Sequence, residues 1–186
     1  AKQEHQRSYA AFAAGSGITP VLSIAKSVLE EEPNSTFVLI YGNKDESETI
    51  FHEELKALQL KNLGRFFVHF VYSQANITGE LSGRIDKNVV NTVLKTKHSD
   101  KTFSKFYLCG PEAMIQVVTA TLKENNVAEK DIKFELFGTS TASENKVVSG
   151  NEGHTAISIT VDADEVSFEM SQQQTILEAA LKQGLD

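Results

Sequence analysis

Two short glycine-bearing segments, far apart in the chain, carry residues suited to one kind of chemistry. The first is Gly15-Ser16-Gly17-Ile18-Thr19-Pro20. It follows an apolar run, Tyr9–Ala14, and precedes residues with helical spacing. Glycine accepts positive φ and lets a phosphate come close to the backbone. A helix start offers unpaired N–H groups and the positive end of a dipole. Thr19 is expected to cap that helix or to donate its hydroxyl to a phosphate. A pyrophosphate is the natural ligand. An ordinary strand-to-helix turn is the competing reading, because Pro20 stands where a G-x-G-x-x-G run would place its third glycine. The second segment is YLCGPEAM, Tyr107 to Met114. Cys109 ends an apolar run there, and Gly110-Pro111 opens the next helix. A lone cysteine is more commonly a small buried hydrophobe.

Two further segments have polar or aromatic residues at strand ends. Tyr41-Gly42-Asn43-Lys44 closes one strand, and Ser73-Gln74 follows another. Neutral hydrogen-bonding groups there suit a ribose or its 2′ substituent, and plain loop polarity explains them equally well. No acidic residue stands at the first tip to take a ribose diol; Asp45 and Glu46 come later. In Phe134-Glu135-Leu136-Phe137, Phe134 and Leu136 alternate to one face. Glu135 and Phe137 take the other. An aromatic ring at that strand end can cover a flat ligand ring, or it can be core.

Other chemistries find little support. The histidines (5, 52, 69, 98 and 154) lack ligand spacing. His69 alternates within a strand and reads as packing or surface. Ser16 is not framed as a nucleophile elbow, since position 18 is isoleucine. One cysteine excludes an internal disulfide, a cysteine-ligated zinc site and an iron–sulfur cluster held by this chain alone. No metal site is expected. The 18 basic and 25 acidic residues leave a net charge of −7, which argues against nucleic acid as a partner. No apolar run approaches the ~20 residues of a membrane helix, so no membrane partner is expected, and a reducing cytoplasm is the default location.

The elements that must position these residues alternate. Strand signals fall at Tyr9–Ala14, Thr36–Tyr41, Arg65–Tyr72, Phe106–Cys109 and Ile132–Phe137. Helical spacing falls at about Pro20–Glu31, Ile50–Leu60, Asp86–Leu94 and Pro111–Glu124. Such alternation implies an α/β fold with a parallel, doubly wound sheet covered on both faces. The expected sheet has five strands in order 3-2-1-4-5. In that order the chain reverses direction between strands 1 and 4, and ligands bind at such a switch point. Gly15–Thr19 and Cys109–Pro111 should therefore face one crevice.

Residues 138–153 are small and polar and read as a linker. After them His154–Val161 and Glu165–Met170 alternate as a hairpin, and Thr175–Leu181 reads as a short helix. Residues 154–186 are expected to be the N-terminal part of a truncated α+β domain, too small to complete a core. Residues 138–186 carry two basic and eight acidic side chains, so most of the negative charge sits there.

Taken together, GSGITP, YGN, SQ, LSGRID, YLCGPEAM and ELF resemble the pyridine-nucleotide domain of the ferredoxin–NADP reductase superfamily. The likeness covers residues 9–137. ILEAALKQG resembles the helix before the cluster loop of a plant-type [2Fe–2S] ferredoxin. AFAAGSGITPVLSI and LIYGN especially resemble the reductases of phenylacetyl-CoA epoxidation. The resemblance implies NADP or NAD bound by residues 1–137, with FAD and a [2Fe–2S] cluster in the complete protein and an oxygenase component as electron acceptor. It implies that Gly15, Ser16, Gly17 and Thr19, with Ile18 and Pro20, hold the pyrophosphate. Gly42, Asn43, Ser73 and Gln74 would lie at the ribose. Cys109 would lie against the nicotinamide, Gly110 and Pro111 would shape its pocket, Glu135 would stand near the reacting rings, and Phe137 near the flavin. An FAD-binding domain is expected before residue 1 and cluster cysteines after Asp186. Gln74 stands where many NADP-using relatives have arginine, which leaves the choice of nucleotide open, with a lean to NADP. Rival readings are the reductase of another aromatic-ring oxygenase, the reductase part of a flavohaemoglobin, and a non-catalytic nucleotide-binding domain.

Overall fold

Strand β1, Ser8–Ala14, is the centre of the larger sheet. Tyr9 to Ala13 are all buried. A central parallel strand has helices on both faces, so a continuous apolar run is what its position demands. A computed structural model describes residues 6–136, 153–161, 164–171 and 174–183 of the chain. The chain divides into two compact units, residues 1–139 and 140–186.

In the larger unit, β1 is followed by α1 (Ile18–Glu31), β2 (Thr36–Asn43), α2 (His52–Lys61), β3 (Phe66–Tyr72), β4 (Leu81–Ser82), α3 (Lys87–Asn91), β5 (Phe103–Gly110), α4 (Glu112–Glu124) and β6 (Ile132–Leu136). All strand pairings are parallel, in the order β4-β3-β2-β1-β5-β6. The five long strands take the expected order. The sixth, β4, is two residues pairing with Val71 and Tyr72 at the edge; so short a strand leaves no period to read.

The alternation of side chains along each strand sorts the core into two layers. Ala11, Ala13, Leu39 and Tyr41 pack with Val21, Ala25 and Leu29 of α1 and Leu55 of α2. Ala10, Phe12, Val38 and Ile40 pack on the other face with Val89 and Val90 of α3 and with Ile115, Val118 and Leu122 of α4. The third expected helix is shorter than its apolar spacing suggests. It changes at Thr92 into a π-helical turn that runs to Lys97.

The smaller unit contains an antiparallel hairpin of β7 (His154–Val161) and β8 (Asp164–Ser171), with Ile157 opposite Phe168 and Ile159 opposite Val166. Helix α5, Ile176–Lys182, begins with a capping box. Thr175 Oγ1 accepts from the Glu178 N–H at 3.2 Å, and Glu178 Oε2 accepts from the Thr175 N–H at 2.9 Å.

Candidate functional site

The long strands of the larger unit share one C-terminal edge, ending at Ala14, Asn43, Tyr72, Gly110 and Leu136. Strand β2 lies on one side of β1 and β5 on the other. The crevice between the outgoing connections is therefore beside β1.

The two glycine corners meet there. A Cβ added to Gly17 would stand 2.2 Å from the carbonyl oxygen of Cys109 and 2.9 Å from the Gly110 nitrogen. Only glycine allows the start of α1 to lie this close to the end of β5. Gly110 has φ +154, and a Cβ on it would meet Ala14 at 3.2 Å.

Gly15–Gly17 forms a single 3₁₀ turn leading into α1. Gly15 has φ +53, and nothing lies within 4 Å of where its Cβ would be. The space over the turn is open. The Ile18 N–H bonds back to the Gly15 and Ser16 carbonyls. The N–H groups before it stand at a helical start, where no carbonyl one turn back can serve them. Ser16 and Thr19 are exposed. Thr19 does not cap the helix as the sequence suggests. Gly17 is the N-cap of α1, with no side-chain capping bond, because the 3₁₀ turn brings the chain into the helix before Thr19 is reached. That side chain lies within the first turn.

Cys109 is 2% exposed and lies opposite Glu135 in the β5–β6 ladder. Burial, and secondarily the Glu135 carboxylate, push its thiol above the usual range. The thiol keeps its proton at neutral pH. Beside it is a mainly apolar cavity of about 250 Å³ bounded by Pro20, Val21 and Ile24 of α1, Tyr107 and Cys109 of β5, and Phe134 and Glu135 of β6. Pro111 is exposed at the start of α4.

On the other side of β1, the tips of β2 and β3 are laced together. The Ser73 N–H and hydroxyl both donate to the Asn43 carbonyl, at 3.0 and 3.3 Å. The Gln74 N–H donates to the Lys44 carbonyl at 2.9 Å. The side chain of Ile85 lies 3.2 Å from where a Gly42 Cβ would be. Gln74 is exposed, and Lys44 is ion-paired with Glu48 at 2.9 Å. Phe137 lies outside the described residues.

Sequence reasoning passed over several neighbours. Val21, Ile24 and Tyr107 wall the cavity, and ordinary core spacing hid them. Tyr41 is wholly buried, yet its hydroxyl donates to the Gly15 carbonyl at 2.9 Å. A tyrosine at a core position of a strand is the available signal, since a buried hydroxyl needs a partner. Glu46, His52 and Glu53 bring one potential ligand atom each within 4.8 Å of the others, and Glu46 also ion-pairs with Lys56.

Residues 12–120, which hold both glycine corners and the β2 and β3 tips, match the oxidoreductase NAD-binding domain family. The chain belongs to that family. A component of the 1,2-phenylacetyl-CoA epoxidase of Escherichia coli (strain K12) is 31% identical to this NAD-binding domain chain over 185 residues, covering 98% of the chain and 52% of that protein. The ferredoxin reductase component of the 3-ketosteroid-9-alpha-monooxygenase of Rhodococcus rhodochrous is 31% identical over 94% of the chain and 49% of that protein. The chain thus spans about half the length of these relatives. Among solved structures, a ferredoxin NADP+ reductase from Neisseria gonorrhoeae with bound FAD and NADP superposes with a TM-score of 0.60 and 26% identity, covering 69% of the chain and 56% of that one. The larger unit is an NAD(P)H-binding oxidoreductase domain of the ferredoxin–NADP reductase type.

Proposed function

We propose that this NAD-binding domain belongs to a reductase that takes electrons from NAD(P)H and passes them through FAD and a [2Fe–2S] cluster to a multicomponent oxygenase, with phenylacetyl-CoA epoxidation as its system. The observation that carries the nucleotide part is the contact of Gly17 with the Cys109–Gly110 backbone. It makes one mouth from two corners, as a dinucleotide requires. The assignment to an oxygenase reductase is supported by the extent of the likeness. The epoxidase and monooxygenase relatives match through the smaller unit, covering 98% and 94% of the chain. A flavohemoprotein from Oceanobacillus iheyensis matches over only 67%.

The bound nicotinamide supplies a hydride. The protein's work is binding and orientation. Gly15, Ser16 and Gly17, with Ile18, Thr19 and Pro20 after them, direct N–H groups and a helix dipole at the diphosphate. Gly42, Asn43, Ser73 and Gln74 meet the adenosine ribose. Cys109 presents a protonated, uncharged thiol beside the cavity, and Gly110 and Pro111 shape that wall. Glu135 places a carboxylate on the same rim, and Phe137 belongs at the flavin. The cavity, 250 Å³ with an apolar wall, suits one edge of a flat ring system and not a whole flavin. In this proposal an FAD-binding domain supplies the rest of the flavin site.

The chain has one cysteine, whereas a plant-type cluster takes four. These residues do not hold the cluster, and no step is assigned to it. The proposal takes residues 154–186 as the first part of the ferredoxin domain; the expected linker, 138–153, lies almost wholly outside the described residues. The lone cysteine also fits a reducing cytoplasm.

The test is a titration of this chain with NADPH and NADH, followed by ferricyanide reduction with added FAD. Binding without turnover is expected from this chain. Turnover is expected once the flanking sequence is added on both sides. Failure to bind either nucleotide rejects the proposal. Binding by a flanked protein that takes up no flavin favours a non-catalytic nucleotide domain.

A further inference from the structure

The hydroxyl of Tyr41 reaches from β2 to the one turn that the proposed function depends on. Tyr41 is 0% exposed, and its ring packs against Phe70 with centroids 6.3 Å apart. The Asn43 Nδ2 is buried and closes no hydrogen bond of ordinary geometry. The tyrosine's own proton goes to the Gly15 carbonyl, 2.9 Å away. Burial pushes the Tyr41 pKa up to about 12, so that proton is present throughout the neutral range.

Holding this carbonyl has a directional consequence. The peptide bonds of the described chain are all trans. In a trans peptide the C=O and the N–H of one unit point in opposite directions. The Gly15 carbonyl and the Ser16 N–H share a unit. Fixing the carbonyl toward the Tyr41 hydroxyl aims the Ser16 N–H away from it. Ser16 is exposed, and the space over Gly15 is open. The positive φ of Gly15 is the conformation that this arrangement holds in place.

We infer that Tyr41 is a positioning residue of the dinucleotide site, and that its bond to Gly15 pre-sets the Ser16 N–H as a donor to the ligand's diphosphate. The inference rests on the nucleotide-binding reading above and adds a residue that never touches the ligand.

The experiment compares wild-type protein with Tyr41→Phe, using NADPH, ADP and adenosine as probes. The phenylalanine keeps the ring and removes one hydrogen bond. Calorimetry is expected to show NADPH and ADP binding weakened about tenfold, the upper end for one neutral bond. Adenosine, which lacks the diphosphate, should bind within about twofold of wild type by NMR titration, on the same reasoning. The Ser16 amide resonance should shift in the free variant. Unchanged NADPH affinity in the variant overturns the inference and leaves the nucleotide reading standing. An equal loss for all three probes also overturns it, as general damage to the fold. A wild-type protein that binds none of them rejects the nucleotide reading, and the inference with it. Should Tyr41→Phe not fold, the wild-type Ser16 amide resonance is followed instead: it is expected to move on adding ADP and not on adding adenosine, and a resonance that ADP leaves unmoved overturns the inference.

Discussion

Gly17 and Cys109 touch through their backbones at the mouth of the crevice, with 2.2 Å between a would-be Gly17 Cβ and the Cys109 carbonyl oxygen. The obstacle is main chain, so it cannot rotate aside. The Gly17 φ of −60 is one that any residue adopts, so the constraint is space alone. Gly17→Ala must push α1 away from β5. A loss of about 1–3 kcal/mol in stability is expected, the range for overpacking, read from urea unfolding. NADPH affinity should fall at least tenfold at the same time. Wild-type affinity in a destabilised variant would mean that the corner does not shape the site.

In the proposed nucleotide site, Gln74 is the position from which to set the choice of nucleotide. Its N–H is tied to the Lys44 carbonyl, while its side chain is exposed at the β3 tip. The nearby Lys44 is engaged with Glu48. Gln74→Arg would supply a guanidinium, and a charge-assisted bond to phosphate is worth about 1.5–3 kcal/mol. NADPH is expected to bind about tenfold tighter or more, with NADH little changed. Parallel titrations measure the ratio. An equal gain for both nucleotides would place Gln74 away from the ribose 2′ group.

The meeting of these corners was legible before the fold was known because it needs only element type and order. β1 is apolar from Tyr9 onward, β5 ends in Cys-Gly with Pro111 next, and the switch point brings their ends together. Details set by tertiary contacts were not legible. Strand β4 exists only because Leu81 and Ser82 find β3. Thr19 looks like a cap until a 3₁₀ turn starts the helix at Ile18. Tyr41 looks like one more apolar residue in TFVLIY, since nothing local shows that its hydroxyl lies against the Gly15 carbonyl.

Cys109 tests the electrostatics of the rim. Burial comes first and the Glu135 carboxylate second in raising its thiol. Glu135→Gln removes the second cause only. The thiol should then titrate lower than in wild type, yet still above a free cysteine. Because Glu135 is exposed, solvent weakens its field, and alkylation at fixed pH should speed up only modestly. Rates across pH 7–10 with iodoacetamide check this. No change in the profile would show that burial alone holds the proton.

The Nε2 atoms of His69 and His98 are 2.8 Å apart, on β3 and after the π-helical turn. One ring donates and the other accepts, so the accepting ring is neutral. Burial, then the charge of His98 and of Lys97, lowers His69 to about 4. Burial and Lys101 lower His98, and Lys97 adds to this while Asp100 opposes it. Unfolded histidines titrate near 6.5. Between these values the unfolded chain binds more protons, so stability is complete above about pH 6.5 and falls as pH drops toward 4. The loss due to His69 is on the order of 2–3 kcal/mol at pH 4. Guanidinium midpoints at pH 7, 5.5 and 4.5 measure it. His69→Gln, which keeps a hydrogen-bonding side chain without a proton to gain, should flatten the dependence. An equally steep fall in that variant would assign the acid sensitivity to other groups.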